Sequence, residues 1–594
     1  MRRVRAVGLV ALSALLAPAL ASAAPITERT SLTGNPEQVG GPASANPLSL
    51  AEAPRPPRHP FMAPNDASNI HDDAYQSDTA DLPGPLGRGM SRVSTFYAKE
   101  CASVTFDSRG RIVTICVGLD RPQLKLLDRT TLAELATMDL PPRKTAAANA
   151  FNDFSGGGYF YLDNRDRAVI PTSERHLLIV GQGGGGFGVQ RDVDLSPLVA
   201  GDDKLIAAMP DWSGRIWVVS TRGVVITVDP ATGRARSTDL RSPISNSFAV
   251  DETGGVFIAA DDALYRLDAA ADGTPRQSWR QPYRNSGIRK PGQTQIGSGT
   301  TPTVMGRHYV AITDNDDPMN VVVVKRAKRV RGPRTVCTQP VFSKGASATD
   351  NSLIGTARSV VVENNFGYAG IGATMGGSTT AGLARVDLSA DGRGCRVRLV
   401  STAKAPSVVP KLSLQNGLIY TYTKEPDTRT PPDDPWYLTA LDFRSGRTVF
   451  KRLAGLGLGF NNNYAPVSIG PDGTAYVGVL GGLVALRDST PPPRVARPPG
   501  PRPRLRLARR CGRRGVAVRM RGAEADLVVR ARFFSQGRRE RRSRTRRDGA
   551  EPFTFTIPRK ALKAGRRYRI KASARLYDGR LGRLSARFRA CSGR

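Results

Sequence analysis

Between Cys101 and Asp488 the chain alternates short β-branched and aromatic runs with tight polar turns. The recurring phrase is a strand, an Asp-x-x-Gly turn and a second strand: Val104-Thr105-Phe106, then Asp107–Gly110, then Arg111-Ile112-Val113. It returns at Asp211–Gly214 and at Asp251–Gly254, with a close variant at Gly470–Gly473. Weaker copies centre on Asp163–Asp166, Gly306, Gly355 and Gly417. The turns recur about every 52 residues, close to the length of a four-stranded blade in a β-propeller. The pattern predicts an all-β chain in which residues 91–489 form an eight-bladed propeller, or a seven-bladed one if the two weakest copies are discounted.

Past a Pro/Arg linker at residues 490–504 the text becomes strict alternation. Tyr568, Ile570, Ala572, Ala574 and Leu576 face one way, and Arg567, Arg569, Lys571 and Arg575 the other. Leu584, Ala586, Phe588 and Ala590 repeat this against Arg583, Arg587 and Arg589. Period two means antiparallel strands with one buried and one wet face. Residues 505–594, with a Cys near each end and the phrase Leu562-x-x-Gly565-x-x-Tyr568, resemble a small Ig- or fibronectin-III-like β-sandwich.

At the other end, Arg2, Arg3 and Arg5 precede the apolar Val7 to Leu20 and the small residues Ala21-Ser22-Ala23, so residues 1–24 read as a signal peptide. No later window is long and apolar enough to span a membrane. Residues 25–90, rich in Pro, Ala and Ser without a period, read as extended or disordered. The expected location is extracytoplasmic, secreted or associated with the cell envelope, where thiols pair. Cys101 and Cys116 flank the Asp107–Gly110 turn symmetrically, which sets them opposite each other in a hairpin. Cys511 and Cys591 bracket the basic tail and Cys337 and Cys395 remain, so the expected bridges are Cys101–Cys116, Cys337–Cys395 and Cys511–Cys591.

Charge divides the chain further. Of 87 Lys+Arg and 51 Asp+Glu, 33 and 6 lie in residues 491–594, so the net +36 sits mostly in the tail. Arg538, Arg539, Arg541, Arg542, Arg544, Arg546 and Arg547 form its densest run, and arginine forks grip phosphate or carboxylate. An anionic surface polymer or lipid head groups are the expected partner. Aromatics for base stacking are sparse there, which speaks against specific nucleic-acid recognition. With 4 His, no Gly-x-Ser-x-Gly elbow and no evident Ser/His/Asp set, the catalytic residues stay unknown.

In a propeller the hairpins between first and second strands open on one face, where Asp107, Asp211 and Asp251 act as turn caps. The starts of innermost strands and the ends of second strands open on the other, around the central channel. That face collects Asn246, Asp261, Thr303, Asp314, Asn315, Glu363, Asn364, Lys411, Lys424 and Asn463, with Thr301, Asn351 and Tyr464 beside them. Asn246, Asp314, Glu363 and Asn463 offer oxygen donors suited to Ca²⁺, and the lysines suit an anion.

The outer strands carry a second phrase, Leu-x-x-(Leu/Val)-Asp-x-x-(Thr/Ser)-Gly-Arg, clearest from Leu438 to Arg447 and repeated from Val228 to Arg234. Here residues 100–488 resemble the quinoprotein-like (PQQ-repeat) β-propeller family. The resemblance implies a channel-face site in which lysines would hold a quinone's carboxylates. Phe450 stands where that family carries Trp, nothing aromatic follows Gly233, and its adjacent-cysteine disulfide is missing, so PQQ itself is not expected. The chain reads as an exported binding protein, with a small ligand or protein at the channel face and a basic C-terminal domain on an anionic envelope surface. The alternative is a Ca-dependent propeller enzyme, either a quinoprotein-like dehydrogenase or a lactonase/esterase-type hydrolase.

Overall fold

A computed structural model describes residues 25–26, 35–143, 145, 151–389, 391–426, 434–535, 538–541, 553–563 and 565–590. Residues 1–24 and Cys591 lie outside these. The described chain is all-β and fits a β-propeller, with successive four-stranded antiparallel sheets. Among the described residues eight sheets built on antiparallel strands follow one another at 100–139, 161–194, 205–239, 249–282, 303–340, 354–401, 411–456 and 467–487, the sixth extended by Pro25–Ile26 and the seventh by Gln38–Gly40 and Thr79–Ala80. The eighth has three strands of its own and is completed by Ser91–Phe96, with Leu483 facing Thr95. A strand from before the first sheet thus closes the last.

Turn chemistry explains why these segments form hairpins. The Asp107 carboxylate accepts the N–H groups of Arg109 and Arg111 at 3.0 and 2.8 Å. Asp211 accepts those of Ser213 and Arg215, and Asp251 those of Thr253 and Gly255. Gly110, Gly214 and Gly254 close these turns at φ of 75°, 89° and 86°, a region glycine occupies without steric cost. Asp442 and Asp229 cap the outer turns in the same way.

The first hairpin is centred slightly later than its sequence symmetry suggests. Phe106 faces Ile112, and a register shift between Cys101 and Ser103 then brings Cys101 opposite Cys116, where they are disulfide-bonded. A bulge supplies the missing half-step. Cys337–Cys395 joins the outer strands of the fifth and sixth sheets. The two bridges, and the lack among the described residues of any helix long and apolar enough to cross a membrane, are consistent with an extracytoplasmic protein.

The largest departure concerns the segment expected to be extended or disordered. Residues 35–90 are packed. Gln38–Gly40 pairs with the outer strand of the seventh sheet, and Leu48, Ala53 and Leu82 join that sheet's core. Residues 67–80 then pass across the innermost strands, every one buried except the partly covered Asp73. The carbonyls of Ser68, Ala74, Tyr75, Ser77, Asp78 and Ala80 accept the N–H groups of Leu162, Val250, Val304, Gly355, Leu412 and Leu414 at 2.7–3.0 Å. These donors belong to five different sheets, so one strap satisfies the axial edges of most of the ring. Its tight course places Asp66, Asp72, Gln76 and Asp78 at φ of 58°, 73°, 54° and 51°. Asp tolerates that left-handed region better than most residues, which accounts for the acid-rich composition.

Burying those acids requires a counter-charge. Lys411, on the innermost strand of the seventh sheet, donates to Ile70 O at 2.6 Å, pairs with Asp78, and lies 3.4 Å from Asp72. Lys411 and Asp78 are fully buried and Asp72 nearly so.

C-terminal to the eighth sheet, a three-stranded and a four-stranded sheet enclose one apolar cluster that includes Val518, Phe533, Phe555, Ile570 and Phe588. The Tyr568 hydroxyl accepts Lys563 N–H at 2.7 Å, which ties the strand Arg567–Leu576 to its preceding loop. These sheets are not loosely tethered. The Tyr577 hydroxyl donates to that of Tyr75 at 2.9 Å, and Tyr75 sits beside the buried Arg326–Glu252 pair. The Pro/Arg linker is laid down as well, with Arg497 donating to Leu48 O and Ser49 O.

Replacing Lys411 with Met removes the cation and leaves two enclosed carboxyls, a change that costs about 3–5 kcal/mol for a broken buried pair. Calorimetry should show a lower Tm for Lys411→Met, partly restored in the Lys411→Met/Asp78→Asn double variant. A wild-type Tm for the single variant would show that this ion pair does not hold the strap.

Candidate functional site

The strap roofs one side of a small cavity of about 50 Å³. Ile70 and His71 supply that side. The remaining walls come from the starts of innermost strands and the neighbouring loops: Glu100 and Ala102 of the first sheet, Phe151 to Tyr159 before the second, Thr301 before the fifth, Asp350 to Ser352 before the sixth, Val409 before the seventh, and Asn463 to Ala465 before the eighth. Arg143 and Val117 complete it.

Its polar groups are incompletely satisfied. Glu100 Oε1, Asp350 Oδ1, Asn351 Oδ1 and His71 Nε2 are buried with no hydrogen-bond partner among the described residues. Burial pushes the Glu100 carboxyl up to about 8, against a hydrogen bond from Asn463 and the charge of Arg143. Burial likewise pushes Asp350 up to about 7, although Thr294 donates to it twice. Burial lowers His71 despite the charge of Asp78. A larger groove of about 490 Å³ lies between the second and third sheets. There Asp163 and Asp229 are engaged in capping their own turns, so its acids, unlike Glu100 and Asp350, are spent on backbone N–H groups.

His71, Ser352 and Asp78 meet, an arrangement not evident in the sequence because Ser352 lies 281 and 274 residues from His71 and Asp78, which both precede the repeats. Ser352 Oγ and Asp78 Oδ1 both address His71 Nδ1, at 2.8 and 3.2 Å, and Ser352 also donates to Asp78. In a hydrolytic triad serine and carboxylate take opposite ring nitrogens. With both on one nitrogen, the imidazole has no route to accept the serine proton at one end while held at the other. This set anchors the strap. Burial and Lys411 act oppositely on Asp78, and the attraction of Lys411 and His71 prevails to hold it below the usual range.

The residues expected at a channel-face site make separate contacts. Asn463 lines the cavity, donating toward Glu100 at 3.3 Å and to Phe151 O. Asn246 accepts from Tyr159 and donates to Gly299 O. Glu363 accepts from Asn351 at 2.8 Å, one step behind the wall. Thr303 donates to Leu353 O, and Asn364 holds Ala346 O. Asp314 caps its own loop through Asn320, and Asn315 ties Asn285, Ile288 O and Ile296 O together. Asp261, beside Gly297, is partly exposed and raised to about 6 by burial and by Asp262. Lys411 is spent on the strap, and Lys424 lies 3.1 Å from Asp434.

Of Asn246, Asp314, Glu363 and Asn463, Asn463 lines the cavity and the other three are held in the contacts just described. No group of three or more His, Cys, Asp or Glu fit to hold a metal occurs among the described residues. The basic run is only partly described: Arg542, Arg544, Arg546 and Arg547 lie outside the described residues, and Arg538, Arg539 and Arg541 are placed as strand backbone. Glu100, His71, Asp350 and Ser352 were missed by sequence reasoning. For His71 the one legible signal was the density of His and Asp in a stretch otherwise resembling a linker.

No protein-family model matches the chain. An uncharacterized protein of Archaeoglobus fulgidus is 26% identical over 326 residues, covering 49% of this chain and 62% of that relative. The match thus falls short of two thirds of the relative's length. Among solved structures, BamB from Moraxella catarrhalis superposes with a TM-score of 0.42 at 13% identity, over 67% of this chain and 97% of that one.

A carboxyl raised by burial favours folding at low pH. The contribution of Glu100 is complete below about 4.5 and is lost as pH rises through about 8. Glu100→Gln should therefore lose less Tm than the wild type between about pH 6 and pH 9 in thermal melts. Parallel curves would place Glu100 in water.

Proposed function

We propose that the chain is an exported eight-bladed propeller (residues 91–489) that binds a ligand at its channel face, joined by residues 490–504 to a basic Ig- or fibronectin-III-like sandwich (505–594) that docks on an anionic envelope surface. The observation that carries this reading is the outer face of the C-terminal four-stranded sheet. Arg530, Arg532, Arg567, Arg569, Lys571, Arg575, Arg583, Arg587 and Arg589 are exposed there. Arg567 stands opposite Arg589, Arg569 opposite Arg587, and Arg530 opposite Arg575. The strands Val528–Ser535, Arg567–Leu576 and Leu581–Arg589 contain no Asp or Glu.

Like charges set directly across a ladder repel, so this face is electrostatically destabilised on its own. A polyanion relieves that repulsion and releases its condensed counterions. The internally paired Lys411 and Lys424 and the shared Nδ1 of His71 favour binding over calcium-dependent or hydrolytic chemistry. The cavity supplies the second half of the reading, a ligand pocket with buried polar atoms in want of partners.

Changing Arg567, Arg569, Arg587 and Arg589 to Gln should shift elution from a heparin column to markedly lower salt. The slope of log affinity against log salt should fall by about 3–4, with Tm unchanged or raised. Wild-type retention would refute docking through this face.

A further inference from the structure

The cavity combines an aromatic wall with two acids, each with one buried oxygen that no donor reaches among the described residues; the charge of Arg143 acts on Glu100 without a hydrogen bond to that oxygen. Phe151, Phe154, Tyr159 and Tyr464 line it. Phe154 meets Tyr464 edge-on at 5.6 Å between centroids and Tyr159 at 6.4 Å, and Tyr464 meets Tyr368 at 5.3 Å. These contacts lock the rings together. Aromatic faces carry negative potential and attract cations, most strongly where water is excluded.

Glu100 and Asp350 complete the picture. Each has one oxygen held, by Asn463 and by Thr294 respectively, and one buried oxygen without a donor. A buried acceptor left unpaired is costly. The cations nearby are committed elsewhere: Arg143 donates to Asp153 O at 2.6 Å and Gly118 O at 2.7 Å, and Lys204 lies 2.8 Å from Asp153. Lys411 pairs with the strap. His71 is kept neutral by burial.

We propose that this cavity binds an organic cation, an ammonium head group held between the aromatic wall and the carboxyls of Glu100 and Asp350. This rests on the reading of the chain as a channel-face binding protein and specifies the ligand's chemistry. A volume of about 50 Å³ suits one head group and not a whole cofactor. A free amine and the lysine side chain of a partner protein share that chemistry. The carboxyls, raised to about 8 and about 7 by burial, must shed protons to meet a cation. Binding therefore releases protons and strengthens as pH rises through that range.

The test is saturation-transfer NMR on the full chain with methylammonium chloride at about pH 6 and pH 9. The expected result is stronger transfer at the higher pH, weakened about tenfold by Glu100→Gln and by Tyr464→Leu, and retained by Tyr464→Phe. Glu100→Gln removes a buried ionisable group and keeps its shape, so its fold survives. Displacement by Nα-acetyl-lysine methylamide marks a site for a protein side chain, and its failure to compete marks one for a free ammonium ligand. No methylammonium signal, or one unchanged in both weakening variants, overturns the proposal. Transfer to acetate instead, lost in Arg143→Met, overturns the cation while leaving a channel-face binding site standing. Transfer to neither ion removes the binding site as well.

Discussion

A ring of sheets leaves the inner edge of every innermost strand facing a common axis, and the backbone groups there must find partners. That requirement organises this molecule. Water could supply the partners in an open channel. Here residues 67–80 supply them, presenting carbonyls to Leu162, Val250, Val304, Gly355, Leu412 and Leu414 in turn. Once the chain crosses the axis, its own acids are enclosed, and Lys411 must be enclosed with them. The cavity beside His71 follows from the same crossing, since the strap closes one side of a space that would otherwise run through the ring.

The strap also links parts of the chain far apart in sequence. Tyr75 touches the Arg326–Glu252 pair of the fourth and fifth sheets, and Tyr577 of the C-terminal sheets reaches its hydroxyl. His308 at the edge of the fifth sheet lies 3.2 Å from Asp526. The basic sheet is thereby held against the face on which the Asp-x-x-Gly turns lie, and its cationic side is left to solvent. One molecule can thus present a cavity at one end and a cationic array on another surface.

Much of the repeat was legible because its signals are local. An Asp, a Gly three or four residues later and flanking β-branched residues define a hairpin wherever they occur, and Asp107, Asp211, Asp251 and Asp442 cap the turns assigned to them. Cys101–Cys116 was legible for a partly accidental reason, since a bulge after Cys101 restores a pairing that the hairpin's true centre would have offset. The strap was illegible because each of its residues answers to a different sheet. A segment whose partners change at every step has no period, and absence of period reads as disorder.

The site was half legible on the same grounds. Thr301, Asn351, Asn463 and Tyr464 lie at the starts of innermost strands, a position that topology alone predicts to face the channel, and they line the cavity. The lysines were misjudged because charge on a polar loop looks available until its counter-charge is located. For Lys411 that counter-charge lay in the strap. Glu100 and Asp350 draw their raised affinity for protons from burial, a property of the assembled ring and not of any short stretch.

Hydrogen exchange at single-residue resolution tests the axial crossing most directly. If the strap seals the ring, the amides of Val250, Val304, Gly355 and Leu412 exchange as slowly as those of Val113 and Val218 in the middle of their sheets. Fast exchange at those four amides, with Val113 and Val218 still protected, would show an open channel and contradict the account.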